Sequence, residues 1–251
     1  MRISDNVILI TGGASGIGYA LARRFVESGS RVLLCGRNEQ RLREAADGLQ
    51  GASTRMCDIT SPKERVALIE WAIREFPELN VLINNAGVQH RMNVLKGDPD
   101  WALLGSELDT NFAAPVHLSL LLGRHLASRK DPAVINVTSG LAFTPMAAAP
   151  VYSATKAAMH SFSISLRAQL APAGIQVIEI APPAVGTDLG GKGVHTYGVP
   201  LDEFADSVMR DLEAGKEEIG YGTSAKALRM SREEIDATVA GINERLPVPS
   251  E

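Results

Sequence analysis

The stretch Thr138–Lys156, T-S-G-L-A-F-T-P-M-A-A-A-P-V-Y-S-A-T-K, decides how this chain is read. Just before it, Ala133–Val137 (A-V-I-N-V) is a short apolar run typical of a buried strand, and Ser139 lies at its carboxyl end. Tyr152 comes thirteen residues after Ser139, and Lys156 four residues later at the start of an Ala-rich helical segment. That spacing puts the phenol and the ammonium on one helix face. A phenol ordinarily titrates near pH ~10, and a neighbouring ammonium is expected to lower that value. Tyr152 can then exchange a proton with a bound oxygen that Ser139 also hydrogen-bonds. This is proton-transfer chemistry at a carbonyl or an alcohol. A surface Tyr–Lys pair is the plain alternative, and the rest of the chain has to decide.

At 251 residues, with 45% hydrophobic residues and a net charge of −4, the chain reads as one globular α/β domain. Basic residues are scattered and outnumbered by acidic ones, so no nucleic-acid partner is expected. Apolar runs stop well short of membrane-spanning length, and Ile8–Ile10 lead into a glycine turn, which does not fit a signal peptide. Cys35 and Cys57 read as buried free thiols in a reducing compartment, so a cytoplasmic location is expected. The histidines show no metal-ligand spacing, and no metal is expected.

Asn6–Ile10 reads as a first strand, followed by T-G-G-A-S-G-I-G at 11–18 and an amphipathic helix. Glycines 12, 16 and 18 let the backbone turn and approach a pyrophosphate at the helix N-terminus, although a purely structural glycine turn has the same signature. A second strand, Arg31–Cys35, ends at Gly36-Arg37. An acid at position 36 would bind an NAD ribose. Glycine removes that carboxylate, and Arg37 can pair with a 2′-phosphate, so NADP(H) is preferred over NAD(H) unless Arg37 is merely solvated. Helices are expected over Glu39–Leu49 and Lys63–Phe76, and strands over Ser53–Cys57 and Val81–Ile83. Asp58 reads as an adenine contact, a helix cap, or both. Asn84-Asn85-Ala86-Gly87 suits close packing beneath a nucleotide. Trp101–Arg129 reads as helix with a kink near Asn111 and Pro115. Gln176–Ala181 is a sixth strand, Pro200–Gly215 and Ser231–Asn243 are helices, and Glu218–Tyr221 is a last strand. Strands alternating with helices imply a parallel sheet of βαβ units.

These motifs, in this order, resemble those of the compact short-chain dehydrogenases/reductases, closely over 4–189 and more loosely beyond. The resemblance implies a doubly wound, Rossmann-type three-layer sandwich with a seven-stranded parallel sheet, in a homodimer or homotetramer. By the same resemblance, Tyr152 is the general acid/base, Ser139 positions the substrate oxygen, Lys156 binds the nicotinamide ribose, and Asn111 holds a relay water. Gly12, Ser15, Gly16, Ile17, Gly18, Arg37, Asp58, Asn85, Ala86, Gly87, Tyr152, Lys156, Pro182, Val185 and Thr187 would form the cofactor site. One departure stands out: Pro182-Pro183 replaces the usual Pro-Gly, which fixes φ where the family keeps freedom. That segment and the tail S-R-E-E-I-D resemble the DltE-like subgroup of oxidoreductases.

The substrate region, 182–223, is expected to vary within the single domain. Gln89, His90, Leu141, Ala142, Phe143, Ala184 and Val185 are expected to line a mostly apolar pocket for a small carbonyl compound. His90 reads equally well as a solvated loop residue, and Met146 and Met159 as packing or interface residues. A carbonyl reductase is the leading reading. A catalytically silent nucleotide sensor is the alternative, and an epimerase or dehydratase would need a larger C-terminal region.

Overall fold

Uninterrupted apolar runs of four to six residues can satisfy their backbone only in a sheet, and can hide both faces only beneath two layers of helix. The computed structural model, which describes residues 1–96 and 100–249, shows that solution. Seven strands, β1 (Val7–Thr11), β2 (Arg31–Gly36), β3 (Ser53–Met56), β4 (Val81–Asn84), β5 (Ala133–Val137), β6 (Gln176–Ala181) and β7 (Glu218–Gly220), form one parallel sheet. Its order is β3-β2-β1-β4-β5-β6-β7. The expected doubly wound, seven-stranded architecture is therefore present.

Alternate side chains divide between two cores. Ile8, Ile10, Val32, Leu34, Ile83 and Ile135 face the layer of α1 (Gly16–Glu27), α2 (Glu39–Asp47) and α7 (Leu201–Glu213), with Phe25 and Phe204 at its centre. Leu9, Leu33, Leu82, Val134 and Val177 face α3 (Pro62–Glu75), α5 (Ala114–Leu126) and α6 (Pro150–Leu170). Three more helices, α4 (Trp101–Leu108), α8 (Thr223–Ala227) and α9 (Arg232–Arg245), flank the carboxyl-end loops or the chain end. No helix among the described residues is long and apolar enough to cross a membrane.

Most expected elements fall within two residues of their predicted bounds, and the shifts have local causes. β1 starts at Val7 rather than Asn6, whose backbone N–H donates to Ser30 Oγ at 3.2 Å instead of to a neighbouring strand. The kink near Asn111 is a π-helical segment, Asp109–Ala113, in which Ala114 N donates five residues back to Asp109 O. Pro115 then begins α5, where its missing N–H costs nothing. Helix α8, too short to carry a periodic pattern, was not expected.

Asn80 ties the amino ends of three strands. Its Oδ1 accepts from Val7 N at 2.9 Å, and its Nδ2 donates to Asn6 Oδ1 at 2.9 Å and to Lys130 O at 3.1 Å. Asn80→Leu leaves buried backbone groups unpaired, so unfolding free energy should fall by about 2–4 kcal/mol in urea titration. A loss below about 0.5 kcal/mol would mean that water replaces these bonds.

Candidate active site

The strand order reverses between β1 and β4, so the connections leaving their carboxyl ends diverge and open a crevice. Its floor is the glycine turn. Gly12 and Gly16 have φ of +64° and +53°, which side chains rarely adopt, and a Cβ on Gly12 would lie 2.9 Å from Ala86 Cα. Ser15 at the N-cap of α1 makes no side-chain cap bond, so the first N–H groups of the helix remain available to an anion. The adjoining cavity, about 1100 Å³, runs from Gly12, Ser15, Gly16 and Ile17 to Ser139, Tyr152 and Lys156.

Around the rim, Arg37 and Arg41 both line the cavity, and neither forms an ion pair among the described residues. Asp58 lines it too, and its Oδ1 accepts from Thr60 N at 3.0 Å and Thr60 Oγ1 at 2.9 Å in the turn before α3. The helix itself is capped by Ser61, so Asp58 braces the turn rather than capping the helix. Asn85, Ala86, Gly87, Pro182, Val185 and Thr187 complete the wall. The Pro182-Pro183 turn does not open the loop. Pro182 O accepts from Gly140 N at 2.8 Å, and Val185 pairs with Val199, with Gly186 N donating to Val199 O at 2.9 Å. Thr187 is thereby carried over the glycine turn, its Cγ2 lying 3.5 Å from where a Gly16 Cβ would be.

Three of the four catalytic candidates, Ser139, Tyr152 and Lys156, line the inner end of the cavity. Lys156 Nζ donates to Val137 O at 2.9 Å and lies 5.6 Å from the centre of the Tyr152 ring. Both side chains are buried. The expected depression of the Tyr152 pKa by Lys156 is not observed. Burial pushes the phenol up to about 12, Glu107 adds to the rise, and Ser139 opposes it. Burial likewise pulls Lys156 down to about 8, so the ammonium does not dominate here. Tyr152 is therefore protonated at neutral pH, the state that can donate a proton.

Several expected positions lie elsewhere. His90 does not line the cavity; its backbone N–H points to Glu107 Oε1 at 3.4 Å. Phe143 turns away to stack edge-on against His160 at 4.5 Å, and Ala142 does not line the cavity either. Gly18 sits beneath the wall, where a Cβ would meet Asn85 Nδ2 at 2.4 Å. Asn111 lies behind the wall: its Oδ1 accepts from Val88 N at 2.9 Å, and its Nδ2 donates to Val88 O at 2.8 Å. Gln89, Leu141 and Ala184 do line the cavity. The free thiols of Cys35 and Cys57 are buried and border it, and burial raises both pKa values, that of Cys57 to about 11.

Residues far away in sequence complete the outer wall. Met146 borders the cavity rather than serving only as packing, and Ile242 and Leu246 from the last helix pack against the cluster of Met146, Ala149 and Tyr152. Asn243 Oδ1 accepts from Ala147 N at 2.7 Å and locks that helix in place. His195 enters from the loop after β6. Only Arg41, four residues past Arg37 in the first turn of α2, carried a readable signal.

Residues 6–197 match the family model for short chain dehydrogenases. The chain belongs to the short-chain dehydrogenase/reductase family. It is 46% identical over 224 residues to the uncharacterized oxidoreductase DltE of Bacillus subtilis, spanning 87% of this chain and 89% of that protein. The short-chain reductase protein NovJ of Streptomyces niveus is 30% identical over 240 residues, spanning 94% of this chain and 86% of that protein. Among solved structures, a short chain dehydrogenase from Burkholderia cenocepacia in complex with NADP superposes with a TM-score of 0.82 at 26% identity, covering 99% of this chain and all of the other. The chain is thus an oxidoreductase of this family, similar to DltE.

Within this dehydrogenase fold, Glu107 is a buried carboxyl one helical turn before Asn111, with Oε2 lacking a partner. Burial pushes its pKa up to about 7. The folded protein therefore keeps this proton over a pH range in which the unfolded chain, titrating near pH ~4.3, has lost it. Its contribution is complete below the unfolded value and is lost as pH rises towards the folded one. Glu107→Gln should stabilise the protein by about 2 kcal/mol near pH ~8 and leave it little changed near pH ~4 in denaturant titrations. Equal stability at the higher pH would show the carboxylate to be hydrated.

Proposed function

We propose that the chain is an NADP(H)-preferring carbonyl reductase or alcohol dehydrogenase in which Tyr152 is the general acid/base. The observation that carries this reading is the convergence of Ser139, Tyr152 and Lys156 on one end of a cavity whose other end is an uncapped helix N-terminus. The donor set fits a dinucleotide phosphate. Ser15, Gly16 and Ile17 meet the pyrophosphate at the start of α1, and Arg37 and Arg41 meet the 2′-phosphate where no acid stands at position 36. Asp58 would hold the adenine, Asn85–Gly87 the ribose and nicotinamide, and Pro182, Val185 and Thr187 the carboxamide end, all of them lining the cavity. The Burkholderia structure holds NADP and a Brucella melitensis reductase of the same fold holds NADH, so the preference rests on Gly36, Arg37 and Arg41 of this chain.

The bound nicotinamide supplies or accepts the hydride. Ser139 hydrogen-bonds the substrate oxygen, and Tyr152, protonated at neutral pH, delivers its proton there during reduction. Lys156 holds the ribose and keeps a positive charge near the phenol. Asn111, braced against Val88 in the π-helical segment, positions the outer end of the proton relay. Leu141, Ala184 and Gln89 contact the substrate. Exposed Trp101, Leu103, Leu108, Leu120 and Ile164 on α4, α5 and α6 support a homodimer or homotetramer through these helices. A silent sensor would need the crevice but not the full Ser–Tyr–Lys set, so the enzyme reading is favoured.

Tyr152→Phe should lower NADPH-dependent carbonyl reduction by about 10²–10⁴-fold while NADPH still binds. Activity within a few-fold of the parent would remove Tyr152 from the mechanism. Paired calorimetric titrations should show NADPH binding tighter than NADH, and Arg37→Asp should invert the order. An unchanged affinity ratio would place the 2′-phosphate elsewhere.

A further inference from the structure

Charged side chains on a surface helix ordinarily turn to bulk water, with both signs mixed over the exposed face. Helices α8 and α9 sort theirs. With their connection they carry four acids (Glu233, Glu234, Asp236, Glu244) and four bases (Lys226, Arg229, Arg232, Arg245). Only two of these line the cavity, Lys226 and Arg245, and both are cations. The others are paired or lie outside it. Glu234 accepts from Ser231 N at 2.7 Å in the capping box of α9, Asp236 pairs with Arg232 at 3.1 Å, and Arg229 with Glu218 at 3.0 Å. Lys226 and Arg245 are exposed, and neither makes an ion pair or a side-chain hydrogen bond among the described residues.

Both helices border the catalytic end. Ser224 of α8 packs on the segment after Ser139, its Cβ lying 3.1 Å from where a Gly140 Cβ would be. Thr223, Lys226 and Ala227, at i, i+3 and i+4, form the cavity face of α8. Thr238, Ile242, Arg245 and Leu246, at i, i+4, i+7 and i+8, form that of α9. Met230 Sδ accepts from Thr238 Oγ1 at 3.6 Å and joins the two faces. Ile242 and Leu246 also pack on the cluster of Tyr152, Met146 and Leu141. The cations therefore share their helix faces with side chains beside the catalytic tyrosine. The acids that line the cavity, Asp58 and Asp188, stand on other segments: Asp58 follows β3, and Asp188 adjoins Thr187, which lies over the glycine turn.

We infer that Lys226 and Arg245 form an anion subsite that holds a carboxylate or phosphate at the far end of the carbonyl substrate. This rests on the carbonyl-reductase reading and names its substrate class: an oxo compound with an apolar spacer and an anionic end group. An ammonium and a guanidinium suit an oxyanion, and a neutral end group leaves both charges unmatched. Thr223 and Thr238 add hydroxyl donors on the same two faces. The spacer would lie along Leu141, Met146, Met230, Ile242 and Leu246, all of which line the cavity. Because both cations are exposed, each contributes only a few-fold in affinity, and salt weakens the contribution.

The test uses the purified protein with NADPH and methyl ketones of short, medium and long chain. Each is supplied as the terminal carboxylate (levulinate being the shortest), as its neutral methyl ester, and as the matching phosphate monoester. At one chain length or more, an anion should exceed its ester in kcat/KM by about five- to thirtyfold at low salt. That ratio should shrink as salt rises from about 0.01 M to about 1 M. Arg245→Gln and Lys226→Gln should each lower it, and the double variant should bring it to about one with NADPH affinity unchanged. The larger of the carboxylate and phosphate ratios names the end group. Equal kcat/KM for anions and esters at every length overturns the subsite and leaves the reductase reading standing. A preference that survives the double variant overturns the assignment to these two residues. Weaker NADPH binding by the variants gives the cations to the cofactor and overturns the subsite. If NADPH binds and no probe is reduced, the reductase reading falls by itself. Calorimetric titration of each anion and its ester into the protein with NADP bound then decides the subsite, which equal affinities or no binding overturn.

Discussion

The site depends on one clasp between the carboxyl ends of β1 and β4. Thr11 Oγ1 accepts from Asn85 N and Ala86 N, both at 3.0 Å, and Asn85 Nδ2 returns bonds to Thr11 O at 2.9 Å and Gly12 O at 3.2 Å. The two connections must part here. Apart from the clasp, the glycine turn is held to the sheet by the bond that Gly12 N donates to Cys35 O of β2 at 2.9 Å. With the clasp, the turn lies against Asn85 and Ala86 closely enough to exclude a Cβ at Gly12 or Gly18, and α1 starts with its N-terminus aimed along the crevice. The anion-binding end of the cavity is therefore a consequence of strand order and two short polar side chains.

The opposite wall is built by a different device. Asn136, in the middle of β5, donates to Ser163 Oγ at 2.9 Å and accepts from Asn84 Nδ2 at 2.9 Å, stitching β4, β5 and α6 through the core. Thr138 Oγ1 donates to the buried Glu179 carboxylate at 2.6 Å, and the same carboxylate meets His160 at 2.8 Å. Of these groups, Asn84 Oδ1 is left without a partner among the described residues, and the other bonds tie β5 to β4, β6 and α6. On the wall so built, Tyr152 and Lys156 are buried at the edge of the cavity, which raises one pKa and lowers the other. Burial, rather than the attraction between the two groups, sets their protonation here.

The outer cavity is closed by the end of the chain. Ile242 and Leu246 pack beside Tyr152, and Pro249 O accepts from Asn93 Nδ2 at 3.0 Å, so the last helix touches both the loop after β4 and the loop after β5. That bond joins residues 156 apart in the chain.

The architecture was legible in the sequence because buried parallel strands announce themselves as apolar runs, and glycine turns and helix starts have local spacing rules. Tyr152, Lys156, Ser139, Asn85 and Arg37 were legible for the same reason: each sits at a set distance from a strand end or along one helix face. Tertiary structure alone decided the protonation of Tyr152 and Lys156, because desolvation depends on what covers a group and not on its neighbours in sequence. It also decided that Phe143 and His90 turn away while His195, Met146, Ile242 and Leu246 turn in. Those choices follow from how loops fold back over the sheet. A loop residue's direction is set by long-range packing, and no periodicity along the chain records it.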